Sequence, residues 1–346
     1  MKNPCQSLSG QVFCGEELDI VPADIRIEGG IITAIEENRK APQRWIVPAL
    51  FNAHTHLGDT VAMDCGATGD LARLVTPPDG LKHRLLAATP RSRLIAGMRA
   101  SMEGMIAGGT FGCADFREGG QNGVTALQDA ASGLPFHPLI FGREGGERFG
   151  DGLGISSTRD VNDVEQQVAA AKKAGKKIAF HAGERDADDV DAALAYEPDL
   201  LIHATHATKK QLRFCADHEI PIAVCPRSNW TLGVTASSRR PPLSLMGDLG
   251  CTVYFGTDNV MFVPPDMLAE LSFASTVYKQ HPKSLLHAGV AGSVLAGTPF
   301  FIRKGAQANL FVIDPSGSAM RFSRDPVTSL IKRAQSGLIC NNVFNL

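Results

Sequence analysis

Trp45-Ile46-Val47-Pro48-Ala49-Leu50-Phe51-Asn52-Ala53-His54-Thr55-His56 is the stretch that decides the fold. It opens as an apolar run of strand length and closes on His-x-His. Side chains on an extended strand alternate between faces, so His54 and His56 point to the same side. A buried strand ending this way presents two nitrogen ligands to one metal ion. Three further polar strand ends follow in order: His181-Ala182-Gly183-Glu184, His203-Ala204-Thr205-His206 and Thr257-Asp258-Asn259.

Outward from that stretch, the region from about 46 to 300 repeats a strand-then-helix rhythm. Apolar strands are expected at residues 46–52, 110–115, 136–141, 152–156, 177–181, 200–203, 220–225 and 252–256. Helical patterns lie between several of them, at 89–107, 160–174 and 209–219. Strands alternating with helix-length segments predict an α/β fold of the (β/α)8 TIM-barrel type. In such a barrel the C-terminal ends of all strands meet at one mouth, where loops carry function. His54 and His56 close the first strand, His181 the fifth, His203 the sixth and Asp258 the eighth. A metal site at that mouth follows from the placement.

The two ends of the chain read differently. Asp24-Ile25-Arg26-Ile27-Glu28-Gly29-Gly30-Ile31-Ile32-Thr33-Ala34-Ile35 is a hairpin signal, two β-branched runs around Gly-Gly. Residues 308–314 and 338–344 read as strands near the other terminus. The expected domains are therefore residues 1–45 and 304–346, two parts of one small β-sandwich, with the barrel of residues 46–303 inserted between them.

The ordered set of His-x-His, His with Glu three residues on, His and then Asp resembles the amidohydrolase superfamily. Within it, the pattern is similar to the mononuclear deaminase and chlorohydrolase branch. Cys225-Pro226-Arg227-Ser228-Asn229 resembles that family's Cys-Pro-x-Ser-Asn, and the terminal β-sandwich matches as well. The resemblance implies one divalent metal, zinc in the first place with iron left open, held by His54, His56, His181 and Asp258. It implies catalysis by Glu184, His203 and Asp258: metal-bound hydroxide attacks, Asp258 takes a proton, His203 orients the nucleophile and Glu184 shuttles a proton to the substrate. The reaction implied is hydrolysis of a non-peptide C–N bond, foremost deamination of a purine, pyrimidine, pterin or nucleoside. Alternatives are chlorohydrolase, formimino or cyclic-amide hydrolysis, and a barrel that only binds a ligand. Binuclear relatives carry a lysine on the fourth strand; Gly152-Leu153-Gly154-Ile155-Ser156-Ser157 has none, which favours one metal. Two departures stand out. Ala49 occupies a position where glycine is common, and the fourth strand lacks the family's histidine-proline-tyrosine-like phrase.

Arg117, Arg143, His206 and Asn229 are candidate substrate-binding residues. An arginine at a barrel mouth can hold a carboxylate or phosphate in a bidentate contact, or stack on a planar ring. The competing reading is that Arg117 and Arg143 each brace a loop through the neighbouring glutamate. The long segment Leu57–Thr89 is expected to close part of the pocket, with Asp59, Asp64 and Asp70 solvated. His83, His137, His218, His281 and His287 lack partner motifs and read as surface or packing residues.

Composition bounds the partners. Lys+Arg 34 against Asp+Glu 36 in 346 residues gives a net charge of −2, which provides no electrostatic footprint for nucleic acid or anionic membrane. No apolar stretch approaches the ~20 residues that span a bilayer, and no signal peptide is read at the N-terminus. The eight cysteines show no Cys-x-x-Cys spacing and are expected to be buried, reduced thiols of a cytoplasmic protein. A small-molecule substrate is expected; a homo-oligomer is left open.

Overall fold

A computed structural model describes residues 5–65, 71–235 and 237–344. The chain opens with β1 (Gln6–Cys14), β2 (Asp19–Glu28), β3 (Ile31–Glu37) and β4 (Trp45–Pro48). Nine short strands follow: β5 (Leu50–His56), β6 (Thr110–Arg117), β7 (His137–Gly142), β8 (Gly152–Ile155), β9 (Lys177–Ala182), β10 (Leu200–His203), β11 (Ile222–Val224), β12 (Val253–Phe255) and β13 (Asp258–Asn259). Near the C-terminus come β14 (Leu310–Ile313) and β15 (Ile339–Val343).

Both ends of the chain meet in one six-stranded sheet of order β15-β14-β4-β1-β2-β3. The predicted hairpin is β2–β3. It turns at Gly29-Gly30, where φ is 59° and 78°, a backbone region open to glycine without a Cβ penalty. One boundary differs from the sequence reading. Trp45–Pro48 is not the start of the barrel strand; it pairs with β1 and β14 in the terminal sheet. The chain crosses between sheets at Ala49. Apart from Pro48 nothing marks the crossing, since both flanks are fully buried and read as one apolar run.

The other sheet is parallel throughout, in the order β12-β11-β10-β9-β8-β7-β6-β5-β13. Its two edge strands, β12 and β13, are separated in sequence by only Gly256-Thr257. The sheet therefore curls until its edges are consecutive pieces of one interrupted strand. The seam is held by backbone bonds from Gly256 N to Val224 O (2.9 Å) and from Thr257 N to His54 O (2.9 Å). Glycine is required there, since a Cβ on residue 256 would stand 2.6 Å from the His54 nitrogen. Asn52 staples the same seam: its amide donates to Thr257 Oγ1 (2.7 Å) and its carbonyl oxygen accepts from Thr257 N (3.0 Å).

Helices join successive strands, among them Arg91–Ala107, Gly120–Ala131, Val164–Lys173 and Lys209–Asp217. The last begins with a capping box between Thr208 and Gln211 and buries Leu212 and Cys215. Phe51, Phe116, Phe141 and Phe180, from four strands of the parallel sheet, are fully buried in the main core. Phe116 and Phe141 stack on the histidine side, where Phe116 meets the rings of His54 and His181, whereas Phe51 and Phe180 point to the other face, against Phe300 and Tyr196. All eight cysteines are unpaired, yet only Cys113, Cys215 and Cys225 are buried, whereas Cys5, Cys65 and Cys340 are exposed. Among the described residues, no helix is long and apolar enough to cross a membrane.

Candidate metal centre and active site

The C-terminal ends of the parallel strands carry the polar residues. His54 and His56 end β5, His181 lies at the end of β9, His203 ends β10 and Asp258 begins β13. All five are buried. The backbone is left-handed at His203 (φ 72°) and Asp258 (φ 61°), which is uncommon for residues with a Cβ.

His54 stands at the centre of the group. Its ring centroid is 5.0 Å from that of His56, 4.7 Å from His181 and 5.6 Å from His203. Asp258 Oδ1 lies 3.1 Å from His54 Nε2 and 3.4 Å from His56 Nε2. Ligand atoms held tetrahedrally at about 2.0–2.2 Å from one zinc ion stand roughly 3.3–3.6 Å apart, so this spacing suits a shared cation. Ligating atoms of His54, His56 and Asp258 lie within 4.8 Å of one another, as do those of His54, His181 and His203.

The tautomers fit a metal too. His56 Nδ1 stands 3.0 Å from the Phe116 carbonyl and 3.0 Å from Glu118 Oε1; both only accept, so Nδ1 carries the proton and Nε2 is bare. His181 Nδ1 donates to the Ile155 carbonyl at 2.9 Å, which frees its Nε2 in the same way. The buried Nδ1 of His54 has no hydrogen-bond partner. Burial lowers all three histidines. His54 is brought down to about 4 against the opposing hydrogen bond and charge of Asp258. In His56 the Lys82 charge adds to burial, and in His181 the Arg143 charge does. Neutral imidazoles are the ligating form.

Beside this cluster sits a second set of polar groups. Ser228, in the short helix Pro226–Thr231, donates to Asp258 Oδ2 at 2.7 Å. The next residue, Asn229, donates toward Glu184 Oε1 (3.4 Å) and His203 Nδ1 (3.3 Å). Glu184 Oε2 lies 3.7 Å from His203 Nε2. Burial works against ionisation of Asp258, but the hydrogen bond from His54, with the coupled imidazoles of His203 and His56 around it, holds it well below the carboxylate range. Glu184 moves the other way: burial raises it, and His203 only partly offsets that. Two carboxylates in one pocket thus have opposite protonation tendencies, the pattern that separates acid from base.

Known proteins carry related sequences. The family model for adenosine deaminase matches residues 151–292. A candidate aminohydrolase of Methanothermobacter thermautotrophicus is 32% identical, with 95% of this chain and 94% of that protein covered. The chain belongs to the amidohydrolase superfamily. Two solved structures share the amidohydrolase fold at lower identity. An adenosine deaminase from Xanthomonas campestris, solved with bound zinc, superposes with a TM-score of 0.76 at 16% identity, covering 100% of this chain and 93% of that one. The atrazine chlorohydrolase of Arthrobacter aurescens TC1, complexed with zinc, gives 0.78 at 17%, covering 97% and 95%.

In this amidohydrolase the remaining sequence-predicted residues fall outside the central cluster or at its edge. Arg143 lines the metal-site pocket, with Nη2 3.4 Å from both ring nitrogens of His181 and Nη1 3.3 Å from Glu118 Oε1. Arg117 does not line that pocket; it borders a separate apolar cavity and pairs with Glu118 and Asp115. His206 Nε2 donates to the Val234 carbonyl at 3.0 Å, away from the metal-site pocket. The segment after β5 does wall the pocket, through Leu71, Val75, Thr76, Pro77 and Lys82. Asp59 is not solvated as expected; it is fully buried, 3.2 Å from Lys82 Nζ, and burial pushes it up to about 7. Asp64 lies in the described part of that segment, whereas Asp70 lies outside the described residues. Sequence reasoning missed Lys82 and Ser228. For Ser228 the signal was present in Cys-Pro-x-Ser-Asn; for Lys82 there was none.

Proposed function

We propose that this amidohydrolase deaminates an aminated heterocycle (a purine, pyrimidine, pterin or nucleoside) by hydrolysis at a single divalent metal ion. The observation that carries the reading is the convergence of His54, His56, His181 and Asp258 beside Glu184 and His203. We take β12 and β13 as one broken eighth strand of a (β/α)8 barrel that begins at β5 rather than at residue 46, with residues 1–48, which include β4, and 304–346 as the superfamily's small β-sandwich domain. Three neutral imidazoles and a carboxylate suit zinc. Zinc bound there would supply Lewis acidity and bring the pKa of a coordinated water toward ~7.

The chain's own residues supply the proton transfers. Asp258, kept ionised, accepts a proton from the attacking water. Ser228 occupies its outer oxygen, so the other oxygen faces the histidines. Glu184, whose carboxyl burial shifts toward the protonated form, donates to the ring nitrogen as the water oxygen bonds to the amidine carbon. His203 orients the water, and Asn229 holds His203 and Glu184 in register. As the C–NH2 bond breaks, Asp258 returns its proton to the departing nitrogen, which leaves with the electron pair as ammonia, and Glu184 takes the hydroxyl proton as the carbon becomes a carbonyl. The fourth barrel strand, β8, carries no lysine, which supports one metal over a bridged pair.

The test is ammonia release from a panel of adenine-, guanine-, cytosine- and pterin-type compounds, alongside elemental analysis of protein purified without chelator. Ammonia from any of them with bound transition metal supports the reading. Release of halide or of an open-chain acid from the alternative substrates, with no ammonia from the panel, would replace it.

A further inference from the structure

Lys82 is 2% exposed, among the largest fully buried side chains in the molecule. It lies in the helix Leu81–Ala88, on the segment that follows β5. Its ammonium stands 2.8 Å from Glu118 Oε1, 3.2 Å from Asp59 Oδ2 and 3.5 Å from Asn259 Oδ1. Two carboxylates and an amide oxygen thus surround its ammonium. Glu118 is likewise surrounded. Oε1 also lies 3.0 Å from His56 Nδ1, beside the Phe116 carbonyl to which that nitrogen donates, and receives Arg143 Nη1 at 3.3 Å; Oε2 receives the Arg117 guanidinium. Gly58 makes room for that guanidinium, since a Cβ there would stand 2.4 Å from Arg117 Nη2.

We infer that Glu118 is a positioning residue of the metal centre, orienting His56 through its Nδ1, and that Lys82 clamps Glu118 in place. The inference rests on the reading of His56 as a ligand. A carboxylate behind a ligating imidazole fixes its tautomer and orientation and makes it more basic; losing such a partner costs about 10–100-fold in metal affinity. Here the clamp comes from the segment that walls the pocket. Packing of that segment and the geometry of the metal centre are thereby one unit. Arg143 extends the same carboxylate's reach to His181.

The experiment compares full-length wild type with Glu118→Gln, Lys82→Met and the double variant. Zinc affinity is read by chelator competition, and ligand geometry by the visible spectrum of the cobalt(II)-substituted protein. Glu118→Gln is expected to weaken zinc binding about 10–100-fold and shift the cobalt bands. Lys82→Met should do the same more mildly. The double variant restores charge balance, so a carboxylate that matters only by neutralising Lys82 would regain wild-type affinity in it; the inference has affinity stay low. If Glu118→Gln does not fold by circular dichroism, Lys82→Met carries the test: unaltered affinity and spectrum there would overturn the inference. Wild-type affinity in Glu118→Gln or in the double variant would also overturn it, leaving the proposed function intact. A wild type that binds no transition metal would overturn both.

Discussion

Ser228 holds Asp258 by its outer carboxylate oxygen, Oγ to Oδ2 at 2.7 Å, while the inner oxygen faces His54 and His56. The hydroxyl lies one residue before Asn229, which reaches Glu184 and His203. One short helix thus orients both the carboxylate assigned as proton acceptor and the one assigned as proton donor. A hydrogen bond to a charged group contributes about 1.5–3 kcal/mol. Ser228→Ala should therefore lower kcat/KM of the metal-loaded enzyme by roughly 10–100-fold. Steady-state kinetics with elemental analysis checks this; full activity in the variant would remove Ser228 from the account.

Glu184→Gln keeps the shape and the hydrogen bond from Asn229 but cannot exchange a proton. General acid–base catalysis contributes about 10²–10⁴-fold, so turnover should fall by that factor. Metal content should stay at the wild-type level, because the proposed ligand set does not include Glu184. Unchanged turnover would move the proton transfer to another group.

Glu270 is fully buried and held by Arg227, through N at 2.9 Å and Nε at 2.6 Å. Arg227 also caps the carbonyls of Pro264 (2.8 Å) and Asp266 (3.0 Å), so it ties the Ser228-bearing helix to the loop after β13. Burial raises Glu270, the Asp258 charge adds to that, and the Arg227 charge and hydrogen bonds offset it only in part. Arg227→Met leaves the carboxylate buried without its cation, a change that costs about 3–5 kcal/mol. Urea denaturation measures it. A loss below about 1 kcal/mol, the range of surface pairs, would show that the clamp is not structural.

Gly256 lies where the broken strand meets β5, and an added Cβ would press on the His54 backbone at 2.6–2.7 Å. Gly256→Ala should lower the melting temperature and the metal content together, since the displaced backbone carries His54. Overpacking of this kind costs about 1–3 kcal/mol. A melting temperature and metal content both equal to wild type would contradict the described seam.

Much of this site could be read from the chain because strands have a simple period. His54 and His56 share a face by alternation, and His181, His203 and Asp258 reveal themselves by standing where apolar runs stop. Buried parallel strands leave few other places for polar residues. Lys82 and Asp59 were hidden for the opposite reason. A lysine in a mixed helix and an aspartate in a long loop read as solvated, and only the fold brings Glu118 from β6 to meet Lys82. Trp45–Pro48 was hidden as well, because a strand buried in the terminal sheet and a strand buried in the barrel have the same composition. The break between β12 and β13 left no clear pattern, since Gly256-Thr257 reads equally as the end of one strand.

Metal stoichiometry tests the central claim most directly. Wild-type protein and His54→Ala, both purified without chelator and shown to be folded, are compared by elemental analysis. The account predicts about one transition-metal ion per chain in the wild type, from the single ligand set His54, His56, His181 and Asp258. It predicts little or none in the variant. A wild type free of transition metal, or a His54→Ala variant that keeps its full complement, would contradict it.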